Sequence, residues 1–304
     1  MSGLDLPPEI PVYITRMRLC WAITASWTLL AVTAYAALTK VASPPLPFDP
    51  DATDPETSTV HSWLCEEVPY DCWRGKLDTS KANRVTINYA PSTVAFESGA
   101  RFLFSPDFFP VTEVEYSFKF FVKQGFDFVL TGKLPGVMFG TCRNCSSSGL
   151  EYLPGQGSFR LTWESRGRGR GKESPVHISP YLYGAHGSFA EAKKAQGPKT
   201  LAAAEGGDRQ GGFHFLQSYF RIKRGSWNTV SMYLKLNDIG KANGVVRVSV
   251  NGKKAGINDV SFRNRAETMI RSVAVVSFFG GNSKFHTTPS YPQSIIFKDI
   301  TVKG

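Results

Sequence analysis

The stretch Ser158-Phe159-Arg160-Leu161-Thr162-Trp163 alternates polar and apolar residues. As a strand it places Ser158, Arg160 and Thr162 on one face and Phe159, Leu161 and Trp163 on the other. By the same rule Tyr181-Leu182-Tyr183 puts two phenols on a single face. Upstream, GFDFVLTGKLPG (125–136) reads as an aromatic-rich strand running into Gly132-Lys133-Leu134-Pro135-Gly136. A hydroxyl, a guanidinium, two phenols and a nearby lysine on neighbouring strands could line one groove. Such a groove would draw anions and hold groups able to move a proton. Each segment also has a plainer reading: Tyr-x-Tyr as half-buried packing, and GKLPG as a turn carrying a solvated lysine.

Positioning these side chains requires sheets, and the chain is patterned for them. In VTEVEYSFKFFV (111–122), Val114, Tyr116, Phe118 and Phe120 face one way, while Glu113, Glu115, Ser117 and Lys119 face the other. That is the period of a half-buried strand. Similar runs occur at 158–163, 177–184, 228–237, 244–252, 272–281 and 294–302. Asn251-Gly252 is a hairpin turn signal. The 304 residues are 42% hydrophobic and 20% charged, with 22 Phe, 11 Tyr, 28 Gly and 19 Pro. This composition suits a folded chain of strands and turns. The pattern predicts an all-β sandwich or jelly roll over residues 85–304. Two stretches interrupt it and read as long surface loops: RGRGRGKE (166–173), and the Gly- and Ala-rich residues 185–212, with a possible short helix around 188–206. The RGRGRG run reads as solvated, or as a collector of polyanions at the rim of the groove.

From Leu19 to Thr39 the chain has no charge, which is long enough for one membrane-spanning helix. Arg16 and Arg18 precede it, favouring a cytosolic residue 1–18 tail. The expectation is a signal anchor at 19–39, a Pro-, Asp- and Thr-rich stalk at 40–84, and an extracytoplasmic domain beyond. The alternatives are a cleaved signal, with Ala34-Tyr35-Ala36 as a cleavage site, or a buried helix. A single-pass type II protein, or a secreted one, has little access to nucleic acid. The formal charge of +10, nearly all of it beyond residue 40, then points to anionic polysaccharide. Four cysteines outside the apolar segment, Cys65, Cys72, Cys142 and Cys145, suit two disulfides of undetermined pairing, with a four-thiolate zinc site as the alternative. His61, His177, His186, His214 and His286 show no metal-ligand spacing and read as surface or packing residues, though His177, four residues before Tyr181, could neighbour the groove.

Taken in order, the segments resemble polysaccharide lyase family 14 and the related glucuronan lyases. The resemblance rests on VEYSFKFF followed by GFDFVLTGKLPG, on FGTCRNCSSSG (139–149), and on SFRLTW with YLY behind it. It continues through RGSWNTVSMYLKLN, NGVVRVSVNGKK and SFFGGN. It implies a concanavalin-like β-jelly roll that cleaves uronic-acid polymers, of glucuronan or alginate type, by β-elimination. The family's active-site lysine falls on Lys133, its serine and arginine on Ser158 and Arg160, and its two tyrosines on Tyr181 and Tyr183. The chain departs from the pattern at Thr131, where the family often has Gly, and by RGRGRGKESP inserted between Arg160 and Tyr181.

The implied chemistry suits these residue types. β-Elimination takes the proton from C5 of a uronate and expels the oxygen on C4. The C5 proton is poorly acidic beside an ionised carboxylate, so a cation must take up charge as the enolate-like state forms. Lys133 and Arg160 could do so, Arg160 through a bidentate fork. Nearby cations favour a phenolate, which makes Tyr181 or Tyr183 a base, with the same or the other tyrosine protonating the leaving oxygen. Ser158 would hold a substrate oxygen or orient a tyrosine. The scheme calls for no metal or organic cofactor, and a monomer is expected. The competing reading is a non-catalytic carbohydrate-binding protein of the same fold.

Overall fold

The structure, a computed structural model, describes residues 41–42, 77–78, 84–141, 156–165, 175–183, 212–214, 220–280 and 287–304. The apolar segment 19–39, the cysteines Cys65, Cys72, Cys142 and Cys145, the RGRGRG run and the possible helix at 188–206 lie outside these residues.

The described strands, in chain order, are β1 (Val41–Ala42), β2 (Leu77–Asp78), β3 (Arg84–Tyr89), β4 (Ala100–Phe104), β5 (Glu113–Val122), β6 (Thr131–Gly140), β7 (Gly157–Ser165) and β8 (Val176–Tyr183). They continue with β9 (Gly212–His214), β10 (Phe220–Arg221), β11 (Trp227–Lys235), β12 (Gly244–Val250), β13 (Lys253–Val260), β14 (Met269–Phe279) and β15 (Gln293–Lys303). One sheet has the order β13-β12-β11-β5-β15-β3-β2, with β1 also on β15. The other has the order β10-β8-β7-β6-β14-β4, with β9 also on β8. The pairings within both sheets are antiparallel. The C-terminal β15 is inserted between β5 and β3, so the larger sheet is complete only when the chain's far end joins it. β1 and β2 draw residues from the range read as stalk into this sheet.

Period-two patterning became strands wherever it was strong. Asn251 and Gly252 both adopt positive φ, 53° and 83°, as a tight hairpin turn between β12 and β13 requires. The inward faces of the two sheets meet in a single core of Val, Ile, Leu and Phe side chains. At one end an aromatic cluster replaces aliphatic packing. Trp163, Tyr89 and Phe279 meet edge to face at 5.1–6.4 Å between ring centres. Phe126 and Phe128 close against them. The Trp163 indole N–H donates to the Phe128 carbonyl at 3.2 Å, which satisfies the one polar atom of that ring.

One local expectation is reversed. GFDFVLT was read as a strand that ends in a Gly/Pro turn, but residues 126–130 are irregular and GKLPG lies inside β6. Pro135 fits there because the pairing with β7 shifts between Leu134 and Gly136, and that with β14 shifts between Ala274 and Phe278. A proline lacks a backbone donor and is tolerated in a sheet where the ladder is interrupted. The interruption holds Lys133 at the open end of a central strand rather than on a turn.

Candidate active site

Alternation sets the outward face of the smaller sheet. Phe159, Leu161 and Trp163 point into the core, so Ser158, Arg160, Thr162 and Glu164 of β7 point out. Strand register stacks the neighbouring strands into rows across this face. One row pairs Met138, Ser158 and Tyr183. The next pairs Gly136, Arg160, Tyr181 and His214. A third pairs Lys133, Thr162 and Ser179. A fourth pairs Thr131, Glu164, His177 and Arg221. All five residues singled out in the sequence therefore share one face of three adjacent strands, and His177 joins it.

The side chains interlock. The Arg160 Nε–H donates to Ser158 Oγ at 3.0 Å. The Lys133 ammonium sits 4.4 Å from the centre of the Tyr181 ring, in cation–π range. Tyr181 and Tyr183 meet edge to face at 5.3 Å. Two glycines make this closeness possible. A Cβ on Gly136 would lie 2.7 Å from Arg160 Cγ, and one on Gly132 would lie 1.8 Å from the Trp163 ring. Bare backbone at these positions lets Arg160 lie across β6 and lets the indole pack beneath β6 beside Lys133. Ser158, Arg160, Tyr181 and Tyr183 are each at most 6% exposed. Charges held this far from water interact more strongly than surface charges do.

His214 was read from sequence as a packing or surface histidine, and the structure places it in the site. Its ring lies 4.3 Å from that of Tyr181. Its Nδ1 is 3.3 Å from Thr162 Oγ1 and 3.2 Å from Glu164 Oε1. The Thr162 hydroxyl donates to the Ser179 carbonyl at 3.1 Å, so toward the histidine its oxygen accepts. A carboxylate also accepts. Both partners thus require a proton on Nδ1, which leaves the Nε2 lone pair as the ring's acceptor. Burial, and secondly the charge of Lys133, push the His214 pKa down to about 3. The contact with Glu164 is accordingly a hydrogen bond from a neutral imidazole, not an ion pair. By the parity of β7, Glu164 lies on the same face as Thr162. His214 had no such signal, because β9 is three residues long and too short for a period. Arg101 of β4 lies on the same outward face. It pairs with Val276, whose outward neighbours Leu103, Met138, Ala274 and Phe278 form a small apolar cluster on the same face.

One outward face of a β-sandwich thus gathers two cations, two phenols and a neutral imidazole. The profile of the family described as Polysaccharide lyase 14 matches residues 78–300. The chain belongs to that family. Among curated proteins, "Exolysin" of Paramecium bursaria Chlorella virus 1 is 28% identical over 174 residues, 54% of this chain and 25% of that protein. The chain thus spans about a quarter of that relative's length. Among solved structures, the alginate lyase of the family from Aplysia kurodai superposes with a TM-score of 0.65 at 22% identity, covering 82% of this chain and 95% of that one. The alginate lyase vAL-1 from Chlorella virus gives 0.55 at 23% identity, covering 72% and 84%. These likenesses establish the fold: all-β and jelly-roll-like.

Proposed function

We propose that the chain cleaves a polyuronate, of glucuronan or alginate type, by β-elimination on the outward face of the smaller sheet. The observation that carries this reading is the Lys133 ammonium over the Tyr181 ring, one row from the Arg160–Ser158 pair. Arg160 and Lys133 take the uronate carboxylate and the charge that spreads onto it as the C5–H bond weakens. One tyrosine, as phenolate, takes the C5 proton. The C5–H electron pair becomes the C4–C5 double bond, the C4–O bond breaks, and the expelled oxygen takes a proton from a phenol. Tyr181 and Tyr183 are the two phenols placed to share these transfers. Ser158, already accepting from Arg160, holds that guanidinium at a fixed angle. His214 stays uncharged and does not compete with Lys133 and Arg160 for the carboxylate. Its Nε2 is an acceptor among donors, suited to a sugar hydroxyl.

The roles separate on substitution. Tyr181→Phe, Tyr183→Phe and Lys133→Ala should each lower turnover of the preferred polyuronate by about 100-fold or more, the usual worth of a positioned acid or base. Circular dichroism and the thermal midpoint should stay near wild type for the two Phe variants. Turnover within about threefold of wild type in all three, on a scale where one acid or base contributes at least 100-fold, would remove these residues from the chemistry.

We further propose that residues 19–39 anchor the domain outside the cytosol. The support is their length without charge and the two preceding arginines. Resistance of the full chain to extraction from membranes by alkaline carbonate is the expected result. Full release of an uncleaved chain would contradict it.

A further inference from the structure

The larger sheet has an outward face of its own, which the reaction on the other sheet leaves unused. Phe118, Phe120, Phe297 and Val85 point into the core at 0–1% exposure. Their neighbours Lys119, Phe121, Lys298 and Arg84 therefore point out. Register sets two rows across β11, β5, β15 and β3. The first runs Trp227, Phe121, Ile296 and Thr86. The second runs Thr229, Lys119, Lys298 and Arg84.

The second row puts three cations directly opposite one another on three adjacent strands. Strands lie about 4.8 Å apart, so the positions of Lys119 and Arg84 span about 10 Å with Lys298 between them. Like charges directly opposite across strands are unfavourable. On the outward face, none of the three contributes to the core between the sheets. One carboxylate partly offsets the charge: Asp299, at the bulge in β15 with φ of 52°, meets Lys119 at 2.9 Å, with 42% and 47% of the two side chains exposed. Arg84 is exposed. The Lys298 ammonium lies 4.3 Å from the Trp227 ring, which in turn contacts Phe121 at 5.5 Å. An aromatic row thus borders a cationic row.

We propose that this face binds an anionic polysaccharide apart from the catalytic face. Arg84 and Lys119 meet its carboxylates, Lys298 adds its charge from its seat over Trp227, and Phe121 receives the C–H face of a sugar ring. The choice of polysaccharide rests on the proposed function above. The pairing of an apolar platform with a line of cations fits a polymer that alternates ring faces and carboxylates. Such a second contact would raise the local concentration of polymer at the catalytic face without touching the reacting sugar.

The test compares wild type with the triple variant Arg84→Gln, Lys119→Gln, Lys298→Gln. Binding of polyglucuronate and polymannuronate is measured at low and high salt, together with turnover of a uronate tetrasaccharide and the thermal midpoint. The expected result is a polymer affinity weakened by about tenfold at low salt, as for loss of one of two linked contacts. The difference should shrink at high salt, where exposed charges are screened. Tetrasaccharide turnover should be unchanged, and the midpoint unchanged or raised as the like-charge contact is relieved. Wild-type and variant affinities that agree at low salt would overturn the proposal, as would a wild type that binds no polyuronate. Duplex DNA that displaces polyuronate from the wild type at lower concentration would overturn the polysaccharide assignment in favour of nucleic acid. Absence of tetrasaccharide turnover in the wild type would sink the lyase reading, while salt-sensitive polymer binding lost in the variant would still support this second face.

Discussion

At the scale of residues, the site combines cations, phenols and one neutral imidazole, and each type has a distinct reason to be there. Strand alternation and the family's motifs both single out Arg160, Tyr181 and Tyr183, whereas Lys133, read as part of a turn, rested on the motifs alone. His214 was not legible: its neighbours Thr162, Glu164 and Tyr181 are more than 30 residues away in sequence, and only the pairing of β9 on β8 brings them together. Its depressed pKa has a consequence for stability. The unfolded chain takes up a proton on this histidine near its usual value of 6.5, whereas the folded chain does so only near 3. Between those values the unfolded state binds more protons. The neutral ring's contribution is therefore complete above about pH 6.5 and is lost as pH falls toward 3, at up to about 1.4 kcal/mol per unit. Lys133 and Glu164 face the same ring, the first opposing its protonation and the second accepting from Nδ1. Thermal midpoints recorded from pH 7 to pH 4 should fall more steeply in wild type than in His214→Gln. Parallel slopes would show that the histidine is not held neutral by the fold.

At the scale of elements, β6 and β7 do most of the positioning. The sequence placed β7 at 158–163, within two residues of its ends at Gly157 and Ser165, because its alternation is uninterrupted. β6 was misplaced, because a Gly-Lys-Leu-Pro-Gly run carries every local mark of a turn. Tertiary pairing on both sides, with a shift in register at Pro135, overrode those marks. Gly136 is needed for that pairing to bring Arg160 close. A methyl group there would lie 2.4 Å from the Phe159 carbonyl oxygen and 2.6 Å from Arg160 Cα. Gly136→Ala should then destabilise the domain by about 1–3 kcal/mol, the usual cost of overpacking, with a lowered urea midpoint as the readout. It should also reduce turnover under conditions where the variant remains folded, since β6 and β7 must part to admit the methyl group. A variant with the wild-type midpoint and turnover would show that the two strands do not approach as closely as described.

At the scale of the molecule, two sheets share one core and present opposite outward faces with different chemistry. The smaller sheet carries the interlocked, largely buried set expected of a reaction site. The larger carries a line of three cations beside aromatic rings. Lys133 and Arg160 lie on one face and Arg84, Lys119 and Lys298 on the other, a placement that composition cannot express. The all-β class and most strand positions were readable from period two. Which strands neighbour one another was not, because β15 enters between β5 and β3 from the far end of the chain. On the function proposed above, the smaller sheet performs β-elimination on a uronate. Its most direct test is ultraviolet absorbance during incubation of the purified domain with polyglucuronate, polymannuronate and polyguluronate. A β-elimination leaves a C4–C5 double bond conjugated to the carboxylate at each new chain end, so absorbance should rise steadily with at least one polymer. Measurable binding without any rise in absorbance on all three would contradict the account.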